Sequence, residues 1–133
     1  MNGNTKPVVY TDIEIYIFKP QLSDVIEWLK SRFSSLSADP ATPGSSTTHH
    51  FFAKTDSGAI RITVVEKIAR SYTSVFFDSP DTSWKTDLDC ARDAFRHLQL
   101  EVRCCVNSWS PEQNPDEWLS IAADGESVIT WQV

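Results

Sequence analysis

Between Asp12 and Phe18 the chain alternates, with Ile13, Ile15 and Ile17 on one side and Asp12, Glu14, Tyr16 and Phe18 on the other. That is the two-residue period of a half-buried strand. After Pro20 the period lengthens. Leu22, Val25, Ile26, Leu29, Phe33 and Leu36 trace one stripe of a helix from about Gln21 to Leu36, with Trp28 as a flanking contact. Asp24 lies early and Lys30 and Arg32 late, the order the helix dipole favours.

Ser37 to Thr48 consists of turn formers without periodicity and predicts a long loop. His49–Lys54, the turn Thr55-Asp56-Ser57-Gly58, and Ala59–Ile68 predict a hairpin in which Ile60, Ile62 and Val64 share a face, followed by a strand at Tyr72–Phe77. Trp84, Leu88, Ala91, Phe95 and Leu98 recur at steps of four and three, a second amphipathic helix opened by Pro80 with Ser79, Thr82 or Ser83 as cap. The helix feeds a strand that buries Leu100, Val102, Cys104 and Val106. A polar stretch follows. Trp118–Ala123 and Glu126–Gln132 then predict a hairpin, with Asp124-Gly125 suited to a type I′ turn and Trp131 in the core beside Ile129 and Val133.

The order β-α-β-β-β-α-β-β-β predicts one α+β domain over residues 1–133, a mainly antiparallel sheet with two helices packed on one face. Pro20 with Asp56 and Gly58 matches Pro80 with Asp124 and Gly125, which suggests a degenerate duplication of a β-α-β-β unit.

Composition narrows the function more than the fold. Hydrophobic residues make up 41% and charged residues 23%, ordinary globular usage that argues against disorder. No apolar run suits a signal, an anchor or a membrane span. Three cysteines, an odd count with Cys104 and Cys105 adjacent on one strand, argue against a disulfide framework and for a reduced, cytoplasmic setting. The net charge is −6, and Asn107 to Val133 holds five carboxylates and no Lys or Arg. Such a region repels phosphate, so nucleic acid and anionic membrane are disfavoured as direct partners, and a basic protein is the natural one.

Motifs of catalysis are missing. The four glycines are never closely spaced, and no Ser has Gly at both plus and minus two. His49 and His50 point to opposite faces of a strand, so neither metal nor cofactor is expected. His97 is expected in a surface pair with Asp93, and Asp89 and Asp93 in solvated ion pairs with Arg92 and Arg96. A Cys–His pair lacks any orienting group or oxyanion hole. The expectation is therefore a non-enzymatic protein-binding protein, an inhibitor or immunity-type neutraliser of a basic effector such as a nuclease toxin or a nucleic-acid-handling complex. Its interface would be Trp109, Glu112, Asp116, Glu117, Trp118, Asp124 and Glu126, indole anchors within an acidic rim. The alternatives are a small-molecule-binding domain or minor enzyme with a pocket between helices and sheet, and a subunit that adds a strand edge to an oligomer.

Overall fold

The alternation at the start of the chain becomes β1 (Ile13–Phe18), with Ile13, Ile15 and Ile17 all at or below 2% exposure. The computed structural model describes residues 12–40, 45–79, 82–105 and 116–132. The elements that follow are α1 (Leu22–Arg32), β2 (Leu36–Ala38), β3 (Thr48–Thr55), β4 (Gly58–Ile68) and β5 (Tyr72–Phe77). Then come α2 (Asp87–Leu98), β6 (Val102–Cys105), β7 (Glu117–Ala122) and β8 (Gly125–Thr130). The strands form one sheet in the order β2-β3-β4-β5-β1-β6-β7-β8, and every neighbouring pair is antiparallel. The α+β architecture and element order are those the periodicity predicts, with the short strand β2 in addition.

Register fixes which residues face the helices. Ile13 pairs with Phe77 and Ile15 with Val75, while Phe77 and Val75 pair in turn with Ile62 and Val64. On the other side of β1, Ile17 pairs with Val102, and Val102 with Ile121. All of these join one core with Val25, Trp28 and Leu29 of α1 and Cys90, Ala91 and Ala94 of α2, so both helices lie on one face of the sheet.

Several local expectations change. α1 ends at Arg32, and Leu36 begins β2, which pairs with β3 through Leu36 and Ala53. The first residues of the expected long loop are therefore an edge strand, and residues 41–44 lie outside the described set. Trp28 is not a flank but fully buried. α2 begins at Asp87, where the Oγ1 of Thr86 accepts from the backbone N–H of Asp89 at 3.1 Å and so caps the helix. Trp84 precedes that helix and is still core.

The last hairpin turns on Ala123 and Asp124. Positive φ falls only on Gly125, at +122°, so the turn is not the expected type I′. The two halves share landmarks but not topology. The β3–β4 hairpin joins the centre of the sheet through its later strand, whereas β7–β8 joins through its earlier one.

Candidate binding face

The other face of the sheet carries no helix among the described residues. Glu14, Tyr16 and Phe18 of β1 point there, with Tyr72 of β5, Arg103 and Cys105 of β6, and Trp118 and Ser120 of β7. β5 and β8 are four steps apart in the sheet, roughly 19 Å if it were flat. Yet the rings of Trp131, just past β8, and Tyr72 have centroids only 4.7 Å apart. The sheet therefore curls toward its helix-free face and folds its C-terminal edge over β1. Tyr16 then meets Trp118 at 5.4 Å and Trp131 at 5.3 Å, both edge to face, while the two indoles are 5.1 Å apart. Trp131 thus belongs to this cluster and is half-buried, not part of the core beneath the helices.

A polar network sits under the rings. The guanidinium carbon of Arg103 lies 4.6 Å from the centre of Tyr72 and 4.7 Å from that of Trp131, within cation–π range of both. Glu101 accepts from Arg103 Nε at 2.8 Å, from the Tyr72 hydroxyl at 2.8 Å and from the Ser120 hydroxyl at 2.6 Å. Burial pushes Glu101 up, but those three donors outweigh it and hold the carboxyl below its ordinary value. Burial, then the bond to Glu101, pushes Tyr72 up to about 12, and burial, then the charge of Glu14, does the same for Tyr16. At neutral pH the acid is ionised and the phenols are protonated. These groups are set to hold a shape, not to exchange protons.

Carboxylates gather where the start of α2 meets the start of β1, at the end of the sheet beside this face. The Oδ1 of Asp87, in the first turn of α2, accepts from the backbone N–H of Glu14 at 3.4 Å, and Glu14 shares a hydrogen bond with Tyr16. Burial raises Glu14, helped by the charge of Asp12, and burial raises Asp87 to about 6 with contributions from Asp12 and Glu14. None of Asp12, Glu14 and Asp87 has an ion-pair partner among the described residues. Nor do the described residues contain a group of His, Cys, Asp or Glu arranged to hold a metal.

The carboxylates expected to form the interface are dispersed. Trp109 and Glu112 lie outside the described residues. Asp116 and Trp118 are on the helix-free side, and Asp116 receives the backbone N–H of Trp131 at 2.8 Å. Glu117 and Glu126 alternate to the helix side, where Glu126 receives Arg92 Nε at 2.8 Å and Nη2 at 2.9 Å. Asp124 is exposed at the hairpin tip. Of the described members of the expected set, Asp116 and Trp118 alone share a face with the aromatic cluster. Tyr16, Trp131 and Arg103 were missed as site residues, together with the acids Asp12, Glu14 and Asp87. The alternation of β1 had already put Glu14 and Tyr16 on its polar side, but only the sheet order brings Asp87 and Trp131 to them.

Comparison with protein-family models, curated proteins and solved structures finds no match. The chemistry of this face must be argued from its own residues.

The other reactive candidates are quiet. Cys90 and Cys104 are buried and Cys105 is exposed, all as free thiols. Burial holds each of the three above its ordinary value, to about 12 at Cys104, so nucleophilic thiolate is suppressed. His49 pairs with Glu66 at 2.8 Å and His50 with Thr63 at 3.3 Å, each on its own side of β3. Asp93 pairs with Arg32 instead of His97, and is buried instead of solvated. Among the described residues no helix is long and apolar enough to cross a membrane.

The acidic cluster has a measurable signature. A carboxyl whose folded pKa is about 6, above its ordinary 3.8, binds more protons in the folded state between those values. Stability therefore falls as pH rises through that window, and the full penalty is present above about pH 6. Asp87→Asn keeps an acceptor for the Glu14 amide and removes the charge. After allowance for partial exposure it is expected to stabilise the fold by ~1 to 2 kcal/mol at pH 7.5 and by almost nothing near pH 4. Urea midpoints of both proteins at the two pH values check this, and an equal effect at both would refute it.

Proposed function

We propose that this chain is a non-enzymatic, cytosolic protein that captures a basic protein partner, as a neutraliser of a basic effector, with the helix-free face as its docking surface. One observation carries the reading: three carboxylates that have no ion-pair partner among the described residues, at Asp12, Glu14 and Asp87, abut a half-buried cluster of indole and phenol rings. Aromatic anchors give a partner side chain area to bury at low entropic cost, and unpaired acids beside them steer a cationic surface into register. The raised carboxyls support it further: burial, and after it the charge of neighbouring acids, disfavours their ionised forms, which a cation brought against Glu14 and Asp87 would stabilise. In this reading the acidic rim is formed at the start of β1 and of α2 instead of in the last quarter of the chain. Glu126, clamped by Arg92, is left out of it.

The alternative of a ligand pocket between helices and sheet draws less support. Where α1 meets the sheet, Trp28, Phe33, Phe77 and Trp84 fill the layer with ring centroids 5.1 to 6.3 Å apart. A depression of about 380 Å³ lies between α2 and the β7–β8 hairpin, lined by Arg92, Phe95, Arg96 and Ile121, but it is open to solvent.

The test is capture from host extract at low ionic strength, followed by titration of the identified partner. Affinity is expected to fall steeply with salt, and at least tenfold for Trp118→Ala and for the combined Asp12→Asn, Glu14→Gln, Asp87→Asn variant. Affinity that is indifferent to salt, or unmoved in the folded triple variant, would sink the proposal.

A further inference from the structure

The two edges of the sheet are guarded differently. β2 is only three residues long, a length that offers little to a passing strand. β8 runs for six residues, contains neither proline nor lysine, and has Glu126 as its single charge. Arg92 holds that charge in a bidentate pair from α2, which draws it back over the sheet. The one large hydrophobic side chain that stands exposed among the described residues, Val128 at 56%, is on this strand.

The ladder shows which backbone groups remain unused. Trp131 N–H donates to the Asp116 carbonyl. Hydrogen-bonded pairs alternate along an antiparallel ladder, so residues 129, 127 and 125 also direct their groups toward β7. The N–H and C=O of Glu126, Val128 and Thr130 then point outward, where among the described residues no strand lies. The side chains of these three residues all lie on the helix side of the sheet.

We infer that the β8 edge docks a second copy of this chain, antiparallel, with Val128 on the two-fold axis. In this register Val128 faces its own counterpart and Glu126 faces Thr130 of the other copy. All three outward pairs are then of the hydrogen-bonded kind, for about six new backbone bonds. The exposed valines cover each other, and no carboxylate faces a carboxylate. A shift that placed Glu126 against Glu126 would lose bonds and set like charges together, so charge and hydrogen bonding select the same register. The two sheets become one continuous sheet, with all four helices on the same side of it. The helix-free face is left clear, so this surface is independent of the one assigned to a basic partner. A six-residue edge buries less than a standard interface, so the pair is expected to dissociate on dilution.

Sedimentation velocity and light scattering across a concentration series give the primary test. The mass is expected to rise from 15.0 kDa toward twice that value as concentration increases. Val128→Pro removes the outward donor at the axis while leaving the bonds to β7 intact, and Val128→Lys sets two ammonium groups against each other. Each is expected to weaken association at least tenfold with an unchanged melting curve. Thr130→Glu, opposite Glu126, should weaken association and Thr130→Lys should strengthen it. Amide exchange at Glu126 and Thr130 should slow with concentration in the wild type but not in the two Val128 variants. A wild-type chain that stays monomeric up to near-millimolar concentration overturns the inference, as does a dimer that tolerates the two Val128 variants or responds equally to both Thr130 variants.

Discussion

Trp28→Ala is expected to cost about 3 to 5 kcal/mol, a large share of the ~5 to 15 kcal/mol that holds an ordinary domain folded. The indole is wholly buried between α1 and the sheet, 5.5 Å from the ring of Trp84 and 6.3 Å from that of Phe77. Truncation removes the transfer energy of a large side chain and opens a cavity whose walls are other rings, held by their own strands and slow to collapse. Trp28→Phe should behave very differently. Trp28 Nε1 is buried and has no hydrogen-bond partner among the described residues, so the wild type bears the desolvation of an unsatisfied donor, ~1 to 3 kcal/mol. Phe loses some volume but also discards that donor, and a net change of about 1 kcal/mol or less is expected. Urea midpoints at constant slope measure both. If the Phe variant loses as much as the Ala variant, a hydrogen bond at Nε1 is implied and the account of this core is wrong.

The same tryptophan shows how the helices were readable in kind but not in orientation. At about 100° per residue, Leu22 and Ile26 pull the apparent stripe of α1 to one side and leave Trp28 on its shoulder. Both are half-buried. The fully buried positions centre on Val25, with Trp28 and Leu29 to either side of it. In α2 the expected stripe of Leu88, Ala91, Phe95 and Leu98 holds at Ala91, while its three large side chains are half-buried. The helix lies on Cys90, Ala91 and Ala94, all fully buried, because close approach to β1 and β6 needs small residues at the contact. Size is a poor guide to the centre of a helix face that sits tightly on a sheet.

Strands were more legible than helices since a two-residue period fixes the face of every residue at once. The alternation of β1 and β4 was read correctly for this reason. The candidate site was the least legible part. Local charge density singled out the last quarter of the chain, yet alternation along β7 and β8 sends Glu117 and Glu126 to one side and Asp116 to the other. The acids that do gather come from β1 and the first turn of α2, 73 positions apart in the case of Glu14 and Asp87. Such a meeting depends on β1 being inserted between β5 and β6, an order that no local pattern encodes.

Asp93→Ala is expected to cost about 2 to 4 kcal/mol, through a network that spans both helices. Asp93 is 8% exposed; it accepts from Arg32 Nε and Nη2, each at 2.6 Å, and from Trp84 Nε1 at 3.0 Å. Its loss lets Arg32 turn toward water but strands the buried indole N–H of Trp84, which has nowhere to go. Asp93→Asn keeps one acceptor and should lose roughly half as much. The sign of its pH dependence distinguishes charge from shape. The Arg32 guanidinium, aided by Trp84, holds the Asp93 carboxyl below its ordinary 3.8 despite burial. Its contribution is therefore present above about pH 4 and is lost as pH falls through the depressed folded value. The gap between wild type and Asp93→Asn should narrow from pH 7 to pH 3. Asp87, two turns earlier on the same helix, predicts the reverse, since there the same substitution stabilises at pH 7.5. One helix thus carries a buried and a half-buried carboxylate whose charges act in opposite directions, and urea titrations of the two Asn variants must diverge in sign. Agreement in sign would mean that burial alone, and not the partner each acid meets, governs both positions.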